Sequence, residues 1–164
     1  MSGASAVAEP FAIRPGCVDD AAAISGLITS LGRYFLADPE HPETAAAFWP
    51  TIGPAALARA LADARYRYYV AEVDGALAGV VGVRDAGHLL HLFVAEPFHG
   101  QGIGGRLWDT ACRDARARGN PGRFTVNSSR HAVGMYERWG FVATDALQAV
   151  NGIEYLPMQR VETP

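Results

Sequence analysis

The sequence predicts an α/β domain of the α+β kind, in which helices flank a mixed, mostly antiparallel sheet. Two apolar runs, RYRYYVAEV and ALAGVVGV, flank the dipeptide Asp74-Gly75, which is a strong signal for a two-residue hairpin. The next apolar run, HLLHLFVA, is nearly continuous, as expected of a strand that is buried on both faces. A glycine-rich stretch then leads directly into a helical pattern near residue 103. These features predict a sheet with at least one helix packed on it.

The first elements lie before this hairpin. Residues 11–14 form a short strand that Pro15 ends. Asp19 or Asp20 can cap a first helix, because short acidic side chains accept hydrogen bonds from free helical N–H groups. The apolar residues of that helix share one face (Ile24, Leu27, Ile28 and Leu31). Residues 37–53 are irregular and proline-rich, and Pro54 suits the first turn of a second helix.

The remaining elements follow the glycine-rich stretch. A helix over about 103–118 carries apolar residues at helical spacing and stops at the sequence GNPG. RFTVNS predicts a strand, AVGMYERW a short helix, and Gly140 the C-cap of that helix. FVATDALQAV and IEYLPMQRV are predicted as a closing hairpin around Asn151-Gly152. The order is therefore β-α-α-β-β-β-α-β-α-β-β, with residues 1–10 as a flexible tail and residues 11–164 as a single domain.

Charge is unevenly distributed along the chain. The net charge is -3, yet residues 99–140 carry seven arginines against three acidic residues. The basic segment favours an anionic ligand at that segment, the alternative being a solvated helix face, and the acidic remainder favours a cationic ligand. No long basic run or basic–aromatic pattern indicates nucleic acid. The apolar runs are too short to span a bilayer and no signal peptide is recognised, so we expect a cytoplasmic protein with no membrane partner.

The stretch HGQGIGGRLW, residues 99–108, places four glycines at the start of a helix. Glycine disfavours helices, but it lets the backbone approach a ligand closely, and helix N-termini bind phosphate through free N–H groups. A Walker loop requires a lysine, and this chain has none. A dinucleotide-binding motif requires a parallel βαβ unit and an acidic residue about twenty positions later, and neither is found. The loop is predicted to bind another phosphate ligand, the alternative being a turn without a ligand.

Two segments resemble the motifs of the GNAT superfamily of N-acetyltransferases. HLFVAEPFHGQGIGGRLWDTA is similar to the acetyl-CoA-binding motif V-x-P-x-x-[RQ]-G-x-G-[IL]-G, and VNSSRHAVGMYERWGF to the second motif N-x-x-x-x-A-x-x-x-Y-x-x-x-G-F. The ending GIEYLPM resembles the closing strands of many members. The resemblance covers roughly residues 11–160 and is most specific over 88–141. His99 stands where the family usually has Arg or Gln, and Pro97 falls one position late.

The resemblance implies an acetyl-CoA-dependent N-acetyltransferase that works by direct attack of a primary amine. Backbone groups of Leu92, Phe93 and Val94 would pair with pantetheine like an added strand. Asn127 and Ser129 lie where relatives bond the pantetheine arm, although both could instead cap the end of a strand. The loop and the first helical turn would hold the pyrophosphate (His99, Gly100, Gln101, Gly102, Ile103, Gly104, Gly105 and Arg106).

Tyr136 is implied as the general acid that protonates the departing thiolate, and a role as a core aromatic is the alternative. As the base we prefer His88 to His91, with Glu72, Glu154 or a water chain as alternatives. His91 points to the opposite face if the strand is regular, but the family's strand is often bulged.

Two other functions stay open from the sequence. A catalytically degenerate member would bind acyl-CoA as a regulatory module, and an unrelated module would bind another nucleotide. The acceptor is expected to be a small-molecule amine or an amine of a peptide or protein, in contact with the first two helices and residues 33–53. Cys17 and Cys112 lack redox or metal-binding spacing, so we expect free thiols and no metal. The identity of the acceptor, the use of other acyl-CoAs and a homodimer are left open.

Overall fold

A single mixed sheet organises residues 10–162, the part of the chain that the computed structural model describes. Residues 1–9 of the tail predicted over residues 1–10 lie outside this range. The strands are β1 (Ala12–Pro15), β2 (Tyr66–Val73), β3 (Ala76–Arg84), β4 (His88–Val94), β5 (Arg123–Ser128), β6 (Val142–Ala143), β7 (Gln148–Val150) and β8 (Ile153–Val161). The α-helices are α1 (Ala21–Ser30), α2 (Pro54–Ala62), α3 (Ile103–Ala117) and α4 (Val133–Arg138).

The strands lie in the order β1-β2-β3-β4-β5-β8-β6 within the described residues, and β7 also pairs with β8. Every pair is antiparallel except β4 and β5, which run parallel. The predicted α+β architecture with a mostly antiparallel sheet is therefore confirmed.

The two predicted hairpin turns form where the sequence places them. Asp74 and Gly75 have φ values of 51° and 78°, and Asn151 and Gly152 have φ values of 53° and 78°. Two successive residues with positive φ define the turn whose twist matches that of the flanking strands. Residue chemistry at these two dipeptides thus sets the registers of β2 on β3 and of β7 on β8.

One detail of the predicted order is wrong, because residues 141–150 do not form one strand. The chain pairs with β8 as β6, leaves it, and returns as β7. Asp145 causes part of this break, since its carboxylate accepts a 2.7 Å hydrogen bond from the N–H of Ala146 and a 3.1 Å hydrogen bond from Gln148. Such local side-chain bonds compete with strand pairing.

Two apolar clusters cover the two faces of the sheet. On one face α3 buries Leu107 and Trp108 against Phe124 of β5. On the other face Ile28 of α1 and Leu57 of α2 are buried with residues of β2 and β3. The strict alternation of buried and exposed residues along β5 shows that its apolar side chains all face α3.

Three further sequence expectations concern the connection over residues 37–53, the cysteines and membrane spans. Residues 37–53 are irregular as predicted, with short 3₁₀ turns at Pro42–Ala45 and Trp49–Ile52. Cys17 is exposed and Cys112 is buried, and both are free thiols. Within residues 10–162, no helix has both the length and the apolar character needed to cross a bilayer.

Candidate active site

Strands β4 and β5 separate after a short stretch of pairing. They pair only at His88 with Thr125 and at Leu89 with Val126, although β4 continues to Val94. The edge of β4 from residue 90 onward therefore has no strand partner on the β5 side. An unpaired strand edge offers N–H and C=O groups that can pair with an extended ligand.

A β-bulge lies at the start of this open edge. Val83 pairs with Leu89 and Gly82 pairs with His91, so Leu90 is an extra residue in β4. Because the bulge shifts the alternation by one position, His88 and His91 lie on the same face of the sheet, the face covered by α1 and α2. The family's bulge, which the sequence analysis considered, is present in this chain.

A cavity of about 1010 Å³ occupies the space between the separated strands. Its lining includes residues of both apolar clusters, so it connects the two faces of the sheet through the opening between β4 and β5. We call it the split cavity. Among the predicted site residues, those that line it are His91, Leu92, Phe93, Val94, His99, Gly100, Gly102, Ile103, Gly104, Gly105, Asn127, Ser129 and Tyr136.

The glycine-rich loop forms one end of the split cavity. Gly100 and Gly102 have φ values of 78° and 80°, a conformation that residues with a Cβ rarely adopt. Gly102 is the N-cap of α3, which begins at Ile103 and extends for 15 residues. A Cβ at Gly104 would approach only the Val94 side chain, at 3.7 Å, and one at Gly105 would meet open space. The loop therefore presents a helix N-terminus with free space in front of it, which suits a phosphate group.

Two predicted ligands of the pyrophosphate are not part of the cavity lining. The amide of Gln101 contacts the carbonyl of Pro97 at 3.5 Å. The guanidinium carbon of Arg106 lies 5.6 Å from the centroid of the Phe11 ring. The roles predicted for these two side chains remain predictions.

His99 connects the loop to the end of β4. Its Nε2 atom donates a 2.6 Å hydrogen bond to the carbonyl oxygen of Val94. Pro97, which falls one position later than in the family motif, lies in a 3₁₀ turn over Glu96–Phe98. The turn accommodates the proline at its later position, and β4 extends as far as Val94.

Tyr136 lies on α4 with its side chain in the split cavity. It is 4% exposed, and its ring packs against Trp139 and Phe141 at centroid distances of 5.7 Å and 5.4 Å. No residue within 10–162 forms a hydrogen bond with its hydroxyl group. Burial raises the pKa of Tyr136 because the phenolate would lose its hydration. The side chain is therefore a neutral phenol with a free donor.

The two histidines of β4 differ in their surroundings. His91 lines the cavity, and its Nδ1 atom lies 3.0 Å from the hydroxyl of Tyr68. His88 does not line the cavity, and its Nδ1 atom lies 2.8 Å from Oγ1 of Thr125. Burial, together with the nearby His88, lowers the pKa of His91 to about 4. Burial, together with the nearby Arg84, lowers the pKa of His88 as well.

The alternative bases are both held by arginines. Glu72 forms an ion pair with Arg14 and is not in the cavity lining. Glu154 lines the cavity and forms an ion pair with Arg130.

The predicted pantetheine ligands stand at the end of β5. Asn127 and Ser129 line the cavity. The hydroxyl of Ser129 also accepts a 3.3 Å hydrogen bond from the N–H of Ala132, so it caps the short 3₁₀ turn before α4. Ser129 therefore caps this turn and lines the cavity at the same time.

Sequence reasoning missed Tyr68 as the partner of His91. The ring of Tyr68 lies directly over Gly82, where a Cβ would be only 2.3 Å from the ring. A glycine inside an apolar strand indicates that another group approaches the backbone closely. Gly82 was therefore the signal in the sequence, although it does not say which residue approaches.

Comparison with known proteins places these features in context. The model of the acetyltransferase (GNAT) domain family matches residues 36–162. Comparison with curated proteins gave no match.

Several solved structures are similar along nearly the whole chain. A GCN5-related N-acetyltransferase from Rhodopseudomonas palustris has a TM-score of 0.76 and 24% identity, with 98% of this chain and 100% of that chain covered. The PaiA N-acetyltransferase of Thermoplasma acidophilum, in complex with coenzyme A, has a TM-score of 0.70 and 18% identity, with 93% and 99% covered. A GCN5-related N-acetyltransferase from Ralstonia eutropha has a TM-score of 0.69 and 22% identity, with 87% and 99% covered. At these identities the likeness is one of fold.

Proposed function

The chain belongs to the GNAT acetyltransferases, and from that premise we propose that it transfers an acetyl group from acetyl-CoA to a primary amine. The amine nitrogen attacks the thioester carbon directly, the C–S bond breaks, and the products are an N-acetyl amide and the CoA thiol. We assign this activity to one domain over residues 11–164.

The observation that carries the proposal is the continuity of the split cavity. It extends from the N-terminus of α3 past the open edge of β4 and includes both Tyr136 and His91. Acetyl-CoA needs a phosphate site, an extended channel for its pantetheine arm, and a reaction centre at the end of that channel. The loop, the edge of Leu92 to Val94 and the Tyr136–His91 region supply these three parts in that order.

The phosphate and pantetheine sites rely on backbone groups. Free N–H groups at the N-terminus of α3 bind the pyrophosphate, helped by the positive end of the helix dipole. The hydrogen bond from His99 to Val94 supports this arrangement, because it holds the loop against the strand that binds pantetheine. Asn127 and Ser129 contribute side-chain contacts from the opposite side of the opening.

Tyr136 acts as the general acid. A buried phenol with a raised pKa is fully protonated at working pH, so its proton is always present when the thiolate departs. The same desolvation also raises the proton affinity of a thiolate that forms in this cavity, so proton transfer accompanies C–S cleavage. The absence of a competing acceptor among residues 10–162 leaves the hydroxyl of Tyr136 available for this step.

His91 takes precedence over His88 as the base. The contact of His91 with the cavity supports this order, whereas His88 is bonded to Thr125 outside it. For His91 to accept a proton at Nε2, its Nδ1–H must donate to the oxygen of Tyr68. Its lowered pKa keeps the ring neutral at working pH but also makes it a weaker proton acceptor than an ordinary histidine, so the order of the two histidines rests on the contact of His91 with the cavity.

The remaining candidate is a degenerate member that binds acyl-CoA without turnover. The experiment that separates the two is amine-dependent release of CoA from acetyl-CoA, with mass spectrometry of the amine. The proposal expects stoichiometric CoA and N-acetyl product. Tight binding of acetyl-CoA with no amine-dependent release would favour the regulatory alternative.

A further inference from the structure

The part of the split cavity that faces α1 and α2 is bordered by a row of rings. Phe35 lies 5.4 Å from Phe48 and 5.8 Å from Phe93, measured between ring centroids. Phe93 lies 6.1 Å from the ring of His91, which lies 6.0 Å from that of Tyr68. We call these five residues the aromatic row. All of these distances fall in the range where rings attract one another, so the row is a continuous surface that leads to His91.

Aliphatic side chains support the aromatic row. Ile28, Leu31 and Leu57 line the same part of the cavity and are at most 3% exposed. Ile28 belongs to α1, Leu31 directly follows α1, and Leu57 belongs to α2. All three are part of the apolar cluster on this face of the sheet. A wall of rings and aliphatic groups stabilises an apolar ligand group by burial and offers it few hydrogen-bond partners.

The charges that line the cavity argue against an acceptor with several positive charges. Among the described residues of the lining, Glu154 is the only carboxylate, and it is paired with Arg130. Arg84 and Arg138 also line the cavity. A second ammonium group on the acceptor would lose its hydration without gaining a free carboxylate. The negative charge of the chain as a whole, which favoured a cationic acceptor, does not extend to this cavity.

We propose that the acceptor is a monoamine that carries an aromatic ring close to its amino group. This inference rests on the acetyltransferase function proposed above. The ring of the acceptor stacks on the phenylalanines of the aromatic row, and its single amino group lies beside His91. Nitrogen then bonds to the acetyl carbon while the thioester C–S bond breaks, the amine loses its proton, and CoA leaves as the thiol.

The first test compares acceptors at equal concentrations of their neutral amine. The panel contains 3-phenylpropylamine, propylamine, spermidine and kanamycin, with CoA release and N-acetyl product both measured. One methylene in an apolar pocket is worth about 10- to 200-fold in kcat/KM, so the phenyl group should raise kcat/KM at least about tenfold over propylamine. Spermidine and kanamycin should be poorer acceptors than 3-phenylpropylamine.

The outcomes separate this inference from the function on which it rests. If the kcat/KM for spermidine, kanamycin or propylamine equals or exceeds that for 3-phenylpropylamine, the inference is wrong and the acetyltransferase function stands. If no amine of any class is acetylated by a protein that binds acetyl-CoA, the function and the inference are both wrong.

A variant of the aromatic row provides the second test. Phe48 is partly buried, and Phe48→Ala shortens the row at the end far from His91. It should lower kcat/KM for 3-phenylpropylamine by about 3- to 10-fold, the usual scale of one aromatic pair, while the KM for acetyl-CoA stays unchanged. Leu147→Ala serves as the control, because Leu147 is 41% exposed and outside the cavity lining. A Phe48→Ala variant that keeps the full ratio of phenylpropylamine to propylamine activity would overturn the proposed stacking.

Discussion

Acid should destabilise this protein through His91. In the folded chain, burial holds the pKa of His91 at about 4, whereas an unfolded histidine has a pKa near 6.5. Between these two values the unfolded chain binds a proton at this site that the folded chain does not. Stability therefore rises with pH across this window, is complete above about pH 6.5, and is lost as the pH falls toward 4.

The size of this effect follows from the two pKa values. Each unit of difference corresponds to 1.36 kcal/mol, so the full loss is about 3 kcal/mol below pH 4. At pH 4.5 most of that loss is already present. This is a large part of the stability of an ordinary domain.

The assay is urea unfolding of the wild type and of His91→Gln at pH 7.5 and pH 4.5. Gln cannot be protonated, so the free energy of unfolding of the variant should fall by about 2 to 3 kcal/mol less than that of the wild type. The free energy of unfolding of the control variant His41→Gln, at an exposed position, should fall by the same amount as that of the wild type. Equal losses in the wild type and in His91→Gln, or a pKa of His91 at or above 6.5 by NMR, would refute the reasoning.

The cavity carries three further expectations. Gly104→Val should weaken acetyl-CoA binding by about tenfold or more, because its side chain would occupy the free space in front of the helix N-terminus. Loss of one charge-assisted hydrogen bond to the phosphate, worth about 1.5–3 kcal/mol, has this effect. Gly26→Val, at an open helical glycine outside the cavity, should leave binding unchanged. Equal dissociation constants of the wild type and Gly104→Val for acetyl-CoA, measured by calorimetry, would show that the loop does not bind the phosphate. His91→Gln should flatten the acidic limb of the pH profile of kcat/KM, which lies below pH 6.5 because burial lowers the pKa of His91. If this limb is unchanged in both His91→Gln and His88→Gln, another group removes the proton of the amine. Burial raises the pKa of Tyr136 above the ordinary tyrosine value of about 10. Ionisation of this tyrosine should therefore cause no decrease in kcat at any pH below 10. A basic limb in that range that vanishes in Tyr136→Phe would contradict this.

Local chemistry made much of the fold predictable from the sequence. The dipeptides Asp74-Gly75 and Asn151-Gly152 favour positive φ regardless of their surroundings, so both hairpins were correctly placed. The apolar spacing of α3 and the glycines before it likewise depend only on neighbouring residues, and the helix begins at Ile103 as expected. The strand break near Asp145 was missed, because it depends on how β8 pairs with both β6 and β7.

The site was predictable only where residues close in sequence create it. The loop and the position of Tyr136 could be inferred from local patterns and from the family resemblance. The bulge at Leu90 was suggested by the family resemblance alone, because an extra residue in one strand is defined by the register of its partner. The aromatic row is also a product of tertiary folding, since Phe35, Phe48 and Phe93 come from separate segments with no common pattern.

The most direct test of the account is the chemical step in Tyr136→Phe. The hydroxyl of Tyr136 has no hydrogen-bond partner among residues 10–162, so its removal should leave the fold and the affinity for acetyl-CoA unchanged. Single-turnover acetyl transfer should slow by about 10²- to 10⁴-fold, the usual contribution of a general acid. Tyr69→Phe removes a hydroxyl bonded to Asp114 outside the cavity and should leave the transfer rate unchanged. A Tyr136→Phe enzyme that transfers acetyl at the wild-type rate would contradict the central claim that the thiolate departs beside this phenol.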